Sequence, residues 1–417
     1  MALPAPGADA ASRPRLLLLS ASAGAGHARA AQALEEAARA RFPRGEVVHL
    51  DVLDLVGKAY RKAYAGSFLA MVNHSPALWG ALYEAGDAGK EGRLRERFVR
   101  FYDRLEFAPF RKAVRAVAPD AVLSTHFLPA QVLSPYRKRG RDLFPLGLVV
   151  TDFDVHAFWV QPTADRFYVA TEELAAVLSL RGIPRERIAV TGIPIAADFS
   201  APRDRAALRA GLGIPEGLPA VLVMAGGAGV GAMRETVEAA LGGPPVAVLA
   251  VAGRNAALKE DVERLPVPRG SVVKAFGFVE TIADLMAAAD VAVTKSGGLT
   301  TSECLAMGLP MLVRDPIPGQ EERNADFVVE SGAGLRAQGP YRLRYRLASL
   351  LADPDRLRRM REAARAAGRP GAAASVLDDA ARTLLRDGSA GGRVREGPAS
   401  GPRGGAGGDP PATLQRE

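Results

Sequence analysis

At 417 residues and 48% hydrophobic, the chain is long enough for two domains with separate cores. Its single cysteine, Cys304, excludes an intramolecular disulfide and suits a reducing, cytoplasmic compartment. The net charge of +8 is local: residues 57–115 hold 12 Lys or Arg against 6 Asp or Glu, which leaves +2 for everything else. No recognised nucleic-acid motif accompanies that segment, so it reads either as a solvated helical face or as a surface for anionic lipid. No run approaches the roughly 18 apolar residues needed to cross a bilayer, which argues against a spanning segment.

Residues 1–12 are rich in Ala and Pro without periodicity and are expected to be disordered. The run Arg13–Ala23 superficially resembles a secretory leader, but its apolar core is too short, and Leu16–Leu19 reads as a first buried strand. Gly24-Ala-Gly-His27 follows, before an Ala-rich helix. Position 29, where a dinucleotide fingerprint needs its third glycine, is Arg, so an NAD site is not supported. Further strands are predicted at Val47–Leu50, Ala121–Ser124, Leu146–Val150 and Phe167–Val169. Between the second and third lies a stretch that mixes Lys58, Tyr60, Arg61, Lys62, Phe68 and Trp79, a composition suited to a lipid headgroup boundary or to ordinary packed helices. Thr151-Asp-Phe-Asp-Val-His156 and Trp159 follow the fourth strand.

Gly and Pro break the pattern at Thr191–Phe199, and a linker is expected over 192–205. A second set of apolar runs follows at Val221–Met224, Val246–Val251, Val272–Ala275, Val291–Thr294 and Met311–Val313. Short apolar runs alternating with helical stretches predict parallel sheets covered by helices on both faces. Glycine-rich turns end several of these strands: Gly226-Gly-Ala-Gly229, Ala252-Gly-Arg-Asn255, Gly277-Phe-Val279 and Lys295-Ser-Gly-Gly298. A Gly-Gly turn that opens a helix exposes backbone N–H groups beside the positive end of the helix dipole, which suits a diphosphate. Residues 387–417 are again Gly- and Arg-rich and are expected to be disordered.

The stretch Lys295–Pro310 with Pro316–Ala325, preceded in order by Gly24–His27, Thr151–His156 with Trp159, Gly226–Gly229 and Gly277–Val279, resembles family 28 glycosyltransferases. Within that family it is most similar to the branch of monogalactosyldiacylglycerol synthases and processive diacylglycerol glucosyltransferases. The resemblance spans residues 15–335 and implies the α/β GT-B fold, two doubly wound Rossmann-like domains facing a cleft. The implied division is an acceptor and membrane-binding domain over 13–191, the linker 192–205, and a UDP-sugar-binding domain over 206–386. The final helices within 341–386 are expected to finish the second domain and to cross back onto the first.

The implied activity is inverting transfer of galactose or glucose from a UDP-sugar to the 3-hydroxyl of 1,2-diacylglycerol by an enzyme peripherally attached to the membrane. Transfer to an undecaprenyl-linked sugar and a UDP-sugar epimerase of GT-B shape are the alternatives. The resemblance implies donor contacts from Gly226, Gly227, Arg254, Phe278, Val279, Ser296, Gly297, Gly298, Leu299, Thr300, Glu303, Gln320 and Glu321. It places Gly26, Lys58, Arg61, Lys62, Phe68, Trp79, His156 and Trp159 on the acceptor and membrane side. Ser296 stands where many relatives have Pro, and Glu321, where another branch has Gln, matches the glycolipid branch.

Glu303 corresponds to a glutamate that accepts hydrogen bonds from both ribose hydroxyls, as a two-oxygen carboxylate can. Thr300-x-x-Glu303 also fits a capping box, which would leave Glu303 a local role. Gln320 and Glu321 correspond to sugar-contacting side chains, or form a polar first helical turn. Phe278 belongs to the uracil-reading segment or to the core.

For the chemistry, a neutral imidazole can take the acceptor's proton, so His27 is the leading base, with helix capping or packing as its bland alternative. Asp152 is the second candidate, as base or as its assistant. Asp152-x-Asp154 also matches a metal triplet of the other large glycosyltransferase fold, but it lies far in sequence from the diphosphate turn. Helix dipole and glycine amides would stabilise the leaving group, so no metal or other cofactor is expected.

Overall fold

The computed structural model describes residues 13–61 except 23 and 59, 106–225 except 143, and 233–385 except 281. The expected disordered ends, and Lys62, Phe68, Trp79, Gly226 and Gly227 among the expected site residues, lie outside the described residues.

Two six-stranded sheets, every adjacent pair parallel, form the scaffold. The first contains β1 (Arg15–Ser20), β2 (Glu46–Asp51), β3 (Ala121–Ser124), β4 (Leu146–Val149), β5 (Arg166–Val169) and β6 (Ile188–Val190), in the order β2-β1-β3-β4-β5-β6. The second contains β7 (Ala220–Met224), β8 (Ala247–Val251), β9 (Val272–Phe276), β10 (Val291–Thr294), β11 (Met311–Val313) and β12 (Gly334–Arg336), in the order β12-β11-β10-β7-β8-β9. Both are doubly wound: the order reverses between β1 and β3 in one sheet and between β7 and β10 in the other. At such a reversal the loops at the strands' C-terminal ends part, and a ligand crevice opens.

The strands are nearly continuous apolar runs because helices cover both faces of each sheet. Leu17 and Leu19 point to one face of β1 while Leu16 and Leu18 point to the other, and all four are buried. The three-residue strands β6 and β12 were not expected from the sequence. Each is a sheet edge, where pairing with one neighbour suffices and a run such as Gly334-Leu-Arg336 carries no apolar pattern of its own.

The C-terminal helix Ala372–Thr383 crosses to the first sheet. Val376, Leu377, Ala380 and Leu384 pack with Leu16, Leu18 and Tyr168 in one buried cluster. Arg166 of β5 grips Asp379 with two hydrogen bonds of 2.7 Å each. The helix therefore belongs to the core of the N-terminal sheet, although it follows the C-terminal one in sequence, and the chain passes between the two halves twice. At the first passage Gly192 has φ +88°, and a Cβ there would lie 2.4 Å from Cβ of Arg369, on the returning segment. Both the backbone conformation and the close approach require glycine.

Candidate active site

The first lip of the crevice is built at the β1/β3 reversal. After β1 the chain turns through Gly24 into the helix Ala25–Arg41, which places His27 in its first turn. His27 caps nothing there: its Nδ1 lies 2.9 Å from the carbonyl oxygen of Thr125, just beyond β3, and 2.9 Å from Oγ1 of Thr151, just beyond β4. A carbonyl can only accept, so Nδ1 carries the proton and shares it between the two oxygens. Nε2 is then a lone-pair acceptor with no hydrogen-bond partner among the described residues. Burial lowers the pKa of His27 against the opposing effects of the Thr125 hydrogen bond and the Asp51 charge, so the ring stays neutral at pH 7.

His126 stacks edge-on to His27 with ring centroids 4.5 Å apart. Its Nδ1 accepts from the N–H of Leu128 at 3.0 Å, capping the helix Phe127–Arg137, so its proton sits on Nε2. Burial, then the neighbouring His27, holds its pKa well below the ordinary value. Phe127, Phe158 and Trp159 continue an aromatic wall from it, with centroid separations of 5.2 Å and 5.7 Å from Phe127. Trp159 and His156 are buried, and Nδ1 of His156 lies 3.4 Å from the N–H of Phe158 as a weak cap. Thr125, His126 and Phe127 were not expected at the site from the sequence. The available signal was a polar Ser-Thr-His run ending an apolar strand.

The second lip is the turn after β10. The helix starts at Gly298 with Gly297 as its cap, so Thr300 lies inside the helix and the Thr300–Glu303 capping box does not form. Glu303 instead faces the first lip and pairs with Arg29. Burial raises its pKa to about 7, although Arg29 opposes the shift. Leu299 is buried, and its Cβ lies 3.9 Å from where a Cβ on Gly26 would stand. Ser296, also buried, donates its hydroxyl proton to the carbonyl of Glu321 at 2.6 Å, tying this turn to the loop that follows β11.

That loop enters the helix Gln320–Glu330 through Gly319. Gln320 Nε2 donates to Asp152 Oδ1 at 3.1 Å, across the crevice. Glu321 turns one oxygen back onto the N–H of Ile317 at 2.7 Å, and the other lies 3.9 Å from the position of a Cβ on Gly297. Thus Glu321 has a local capping role and still borders the turn. Asn324, fully buried, accepts from the Phe153 N–H at 2.7 Å and directs its amide group at Asp152 Oδ1, 3.4 Å away. Burial raises the pKa of Asp152 to about 6, the main opposing cause being the Asn324 hydrogen bond. Phe153 stacks on Phe327 at 4.2 Å, completing the contact between the lips.

The two lips meet most closely at Gly298. A Cβ on this residue would fall 2.0 Å from the Thr151 carbonyl oxygen and 3.1 Å from Asp152 Oδ1. Only glycine permits that approach.

Farther along the second sheet, Arg254 and Phe278 project from the ends of β8 and β9. The guanidinium lies 5.4 Å from the ring centroid, and Phe278 is 64% exposed, which excludes the core-packing alternative for this ring. Val279 beside it is partly buried. Of the basic residues expected at the membrane, Lys58 is exposed and Arg61 pairs with Asp54 at 2.7 Å. Among the described residues no group of three His, Cys, Asp or Glu side chains is placed to hold a metal ion.

Comparison with known proteins decides the lineage. Residues 27–195 match the monogalactosyldiacylglycerol (MGDG) synthase family, and residues 220–376 match the glycosyltransferase family 28 C-terminal domain. Together the two matches cover 326 of the 417 residues, and both are families of glycosyltransferases. A protein named processive diacylglycerol beta-glucosyltransferase from Bacillus cereus (strain AH187) is 29% identical over 373 residues, 88% of this chain and 92% of the relative. A protein of the same name from Bacillus mycoides (strain KBAB4) is 28% identical over the same shares. Solved structures that share the fold include Acinetobacter baumannii MurG, with TM-score 0.54 and 16% identity over 88% of this chain and 99% of that one. The UDP-GlcNAc 2-epimerase of Neisseria meningitidis has TM-score 0.57 and 14% identity over the same shares. Glycosyltransferases and an epimerase alike thus share this architecture, and the fold is GT-B.

Proposed function

We propose that this enzyme moves a hexose, galactose or glucose, from its UDP-sugar to the 3-hydroxyl of 1,2-diacylglycerol, with inversion at the anomeric carbon. Glycosyl transfer to diacylglycerol follows from the family matches and from relatives matched along most of the chain. The donor's identity, the inversion and the membrane attachment are inferred.

One observation carries the mechanism: Thr151 joins the two halves of the chemistry. Its hydroxyl lies 2.9 Å from His27 Nδ1, and its carbonyl abuts Gly298 at the start of the second-lip helix. A base and an anion-binding helix N-terminus are thereby held on opposite sides of one crevice.

In the reading this supports, the diphosphate lies on the Gly297–Gly298 amides and the ribose on Glu303, with Gln320 and Glu321 at the sugar. The acceptor oxygen attacks the anomeric carbon from the face opposite UDP and forms the new glycosidic bond. The bond from that carbon to the phosphate oxygen breaks, and its electron pair leaves with UDP. The hydroxyl proton passes to Nε2 of His27. Asp152 is the weaker base candidate because Oδ1 already accepts from Gln320 and faces the Asn324 amide. It positions the crevice and, through its neighbour Thr151, the imidazole. The helix N-terminus stabilises the departing diphosphate, so no metal need be recruited for that task.

The concentration of basic charge in residues 57–115 supports collection of the acceptor from an anionic membrane surface. No helix among the described residues is long and apolar enough to cross a membrane. The test is glycolipid formation by purified protein on vesicles of diacylglycerol with anionic lipid, comparing UDP-galactose with UDP-glucose, with and without a chelator. Product of inverted configuration from one donor, undiminished by chelator, is expected. UDP-sugar binding without any glycolipid would refute the acceptor, and loss of product with the chelator would refute the metal-free step.

A further inference from the structure

Arg29, two residues past His27, crosses the crevice to Oε1 of Glu303. The carboxylate is nearly inaccessible, with 3% of its side chain exposed, whereas the arginine side chain is 43% exposed. Among the described residues Arg29 is the one side chain bonded to Glu303. The helices that carry them, Ala25–Arg41 and Gly298–Ala306, pack against each other at Gly26 and Leu299, so the pairing follows from the seating of the two lips.

This pairing conflicts with the role assigned to Glu303. A vicinal ribose diol offers two donors and needs open access to both carboxylate oxygens, whereas with Arg29 on one of them only 3% of the Glu303 side chain is exposed. Ejecting a guanidinium from a buried carboxylate into water is costly unless another anion receives it. A nucleoside diphosphate brings that anion to the same helix. Glu303 lies five residues beyond Gly298, roughly 7–8 Å along the axis at the usual helical rise. Arginine's planar fork suits phosphate oxygens as well as a carboxylate, and a flexible, half-exposed side chain can sweep that distance.

We propose that Arg29 is a donor-binding residue that exchanges partners: it holds Glu303 when the crevice is empty, and on donor binding yields the carboxylate to the ribose diol and takes the diphosphate. The exchange rests on the UDP-sugar reading above. It couples recognition of the two ends of the ligand, because neither the diol alone nor the phosphates alone can complete it. A nucleoside without phosphates must break the Arg29–Glu303 pair uncompensated, and a nucleoside diphosphate need not.

The experiment is calorimetric titration of full-length protein with uridine and with UDP, at pH 8, where Glu303 is ionised. Wild type, Arg29→Ala and Arg29→Lys are compared. In Arg29→Ala, uridine is expected to bind several-fold more tightly, because its ribose no longer competes with a guanidinium. The advantage of UDP over uridine is expected to shrink roughly tenfold or more, the order of one lost charge-assisted hydrogen bond. Arg29→Lys, which keeps the charge without the fork, is expected to fall between, and Arg29→Gln replaces the alanine variant if that fails to fold. An unchanged UDP-to-uridine ratio would show that Arg29 never meets the diphosphate, and unchanged or weaker uridine binding would show that it does not obstruct the ribose. Either result overturns the exchange while leaving the UDP site standing. Wild-type protein that binds neither ligand would instead overturn the UDP-sugar reading, and the exchange with it.

Discussion

Replacing Gly298 by Ala tests whether the contact between the lips is the reacting arrangement. The added methyl carbon would lie 2.0 Å from the Thr151 carbonyl oxygen. Carbon and oxygen settle at about 3.3 Å or more, so the lips must part by roughly 1.3 Å. Forcing a methyl group into a filled space typically costs about 1–3 kcal/mol. Here the least costly response is opening of the crevice rather than unfolding, because the overlap lies between the two halves and not inside either core. Thr151 also positions the imidazole, its Oγ1 being 2.9 Å from His27 Nδ1, so the same movement displaces the base. Closed-state destabilisation of that size lowers kcat/KM by about 5-fold to 150-fold. Initial rates on diacylglycerol vesicles at subsaturating donor measure it, with a thermal melt to confirm folding. Gly297→Ala is the matched control for closure, since its methyl would meet nothing nearer than 3.9 Å, from Glu321. If Gly298→Ala turned over at the wild-type kcat/KM, the reaction would not require this contact, and the mechanism built on Thr151 would be wrong.

His27→Ala is expected to lower kcat by roughly 10²-fold to 10⁴-fold, the usual contribution of a general base, while UDP affinity measured by titration stays near wild type. Asp379→Ala leaves Arg166, only 15% exposed, without its carboxylate; a loss of about 3 kcal/mol in urea unfolding is expected, with the transition of the N-terminal half most affected. Glu303 has a folded pKa raised to about 7, so between its unfolded value near 4.5 and that pH the folded protein holds a proton the unfolded chain has released. Its contribution to stability is therefore present below pH 4.5 and is lost as pH rises toward 7. Glu303→Gln should flatten that part of a stability profile, and a profile identical to wild type would remove Glu303 as its source.

Much of the scaffold was legible along the chain for a physical reason: a parallel strand covered on both faces must be an unbroken apolar run, and Leu16–Leu19 or Val291–Thr294 can be read as such without neighbours. The glycines at the second lip were equally visible, because Gly297 and Gly298 break a pattern exactly where a strand passes into a helix. His27 and Glu303 could be named, but their surroundings could not. Whether Glu303 caps its own helix or faces a crevice is set by where that helix begins and by Arg29, 274 residues away. The same holds for Asn324 at Asp152, for His126 at His27, and for Asp379 at Arg166. Asn324 reaches Asp152 only once the two sheets have been seated together, Asp379 reaches Arg166 only once the last helix has crossed back, and the two histidines meet only where the loops after β1 and β3 converge. Local pattern determines which face of an element is buried; the partner it is buried against depends on packing between residues far apart in the chain. The sequence by itself determined two doubly wound sheets and the glycine turn at the helix Gly298–Ala306. Tertiary structure alone decided the proton position on His27, the interdomain approach at Gly298 and the occupation of Glu303 by Arg29, because each depends on distances between loops that are remote in sequence and meet only in the folded chain.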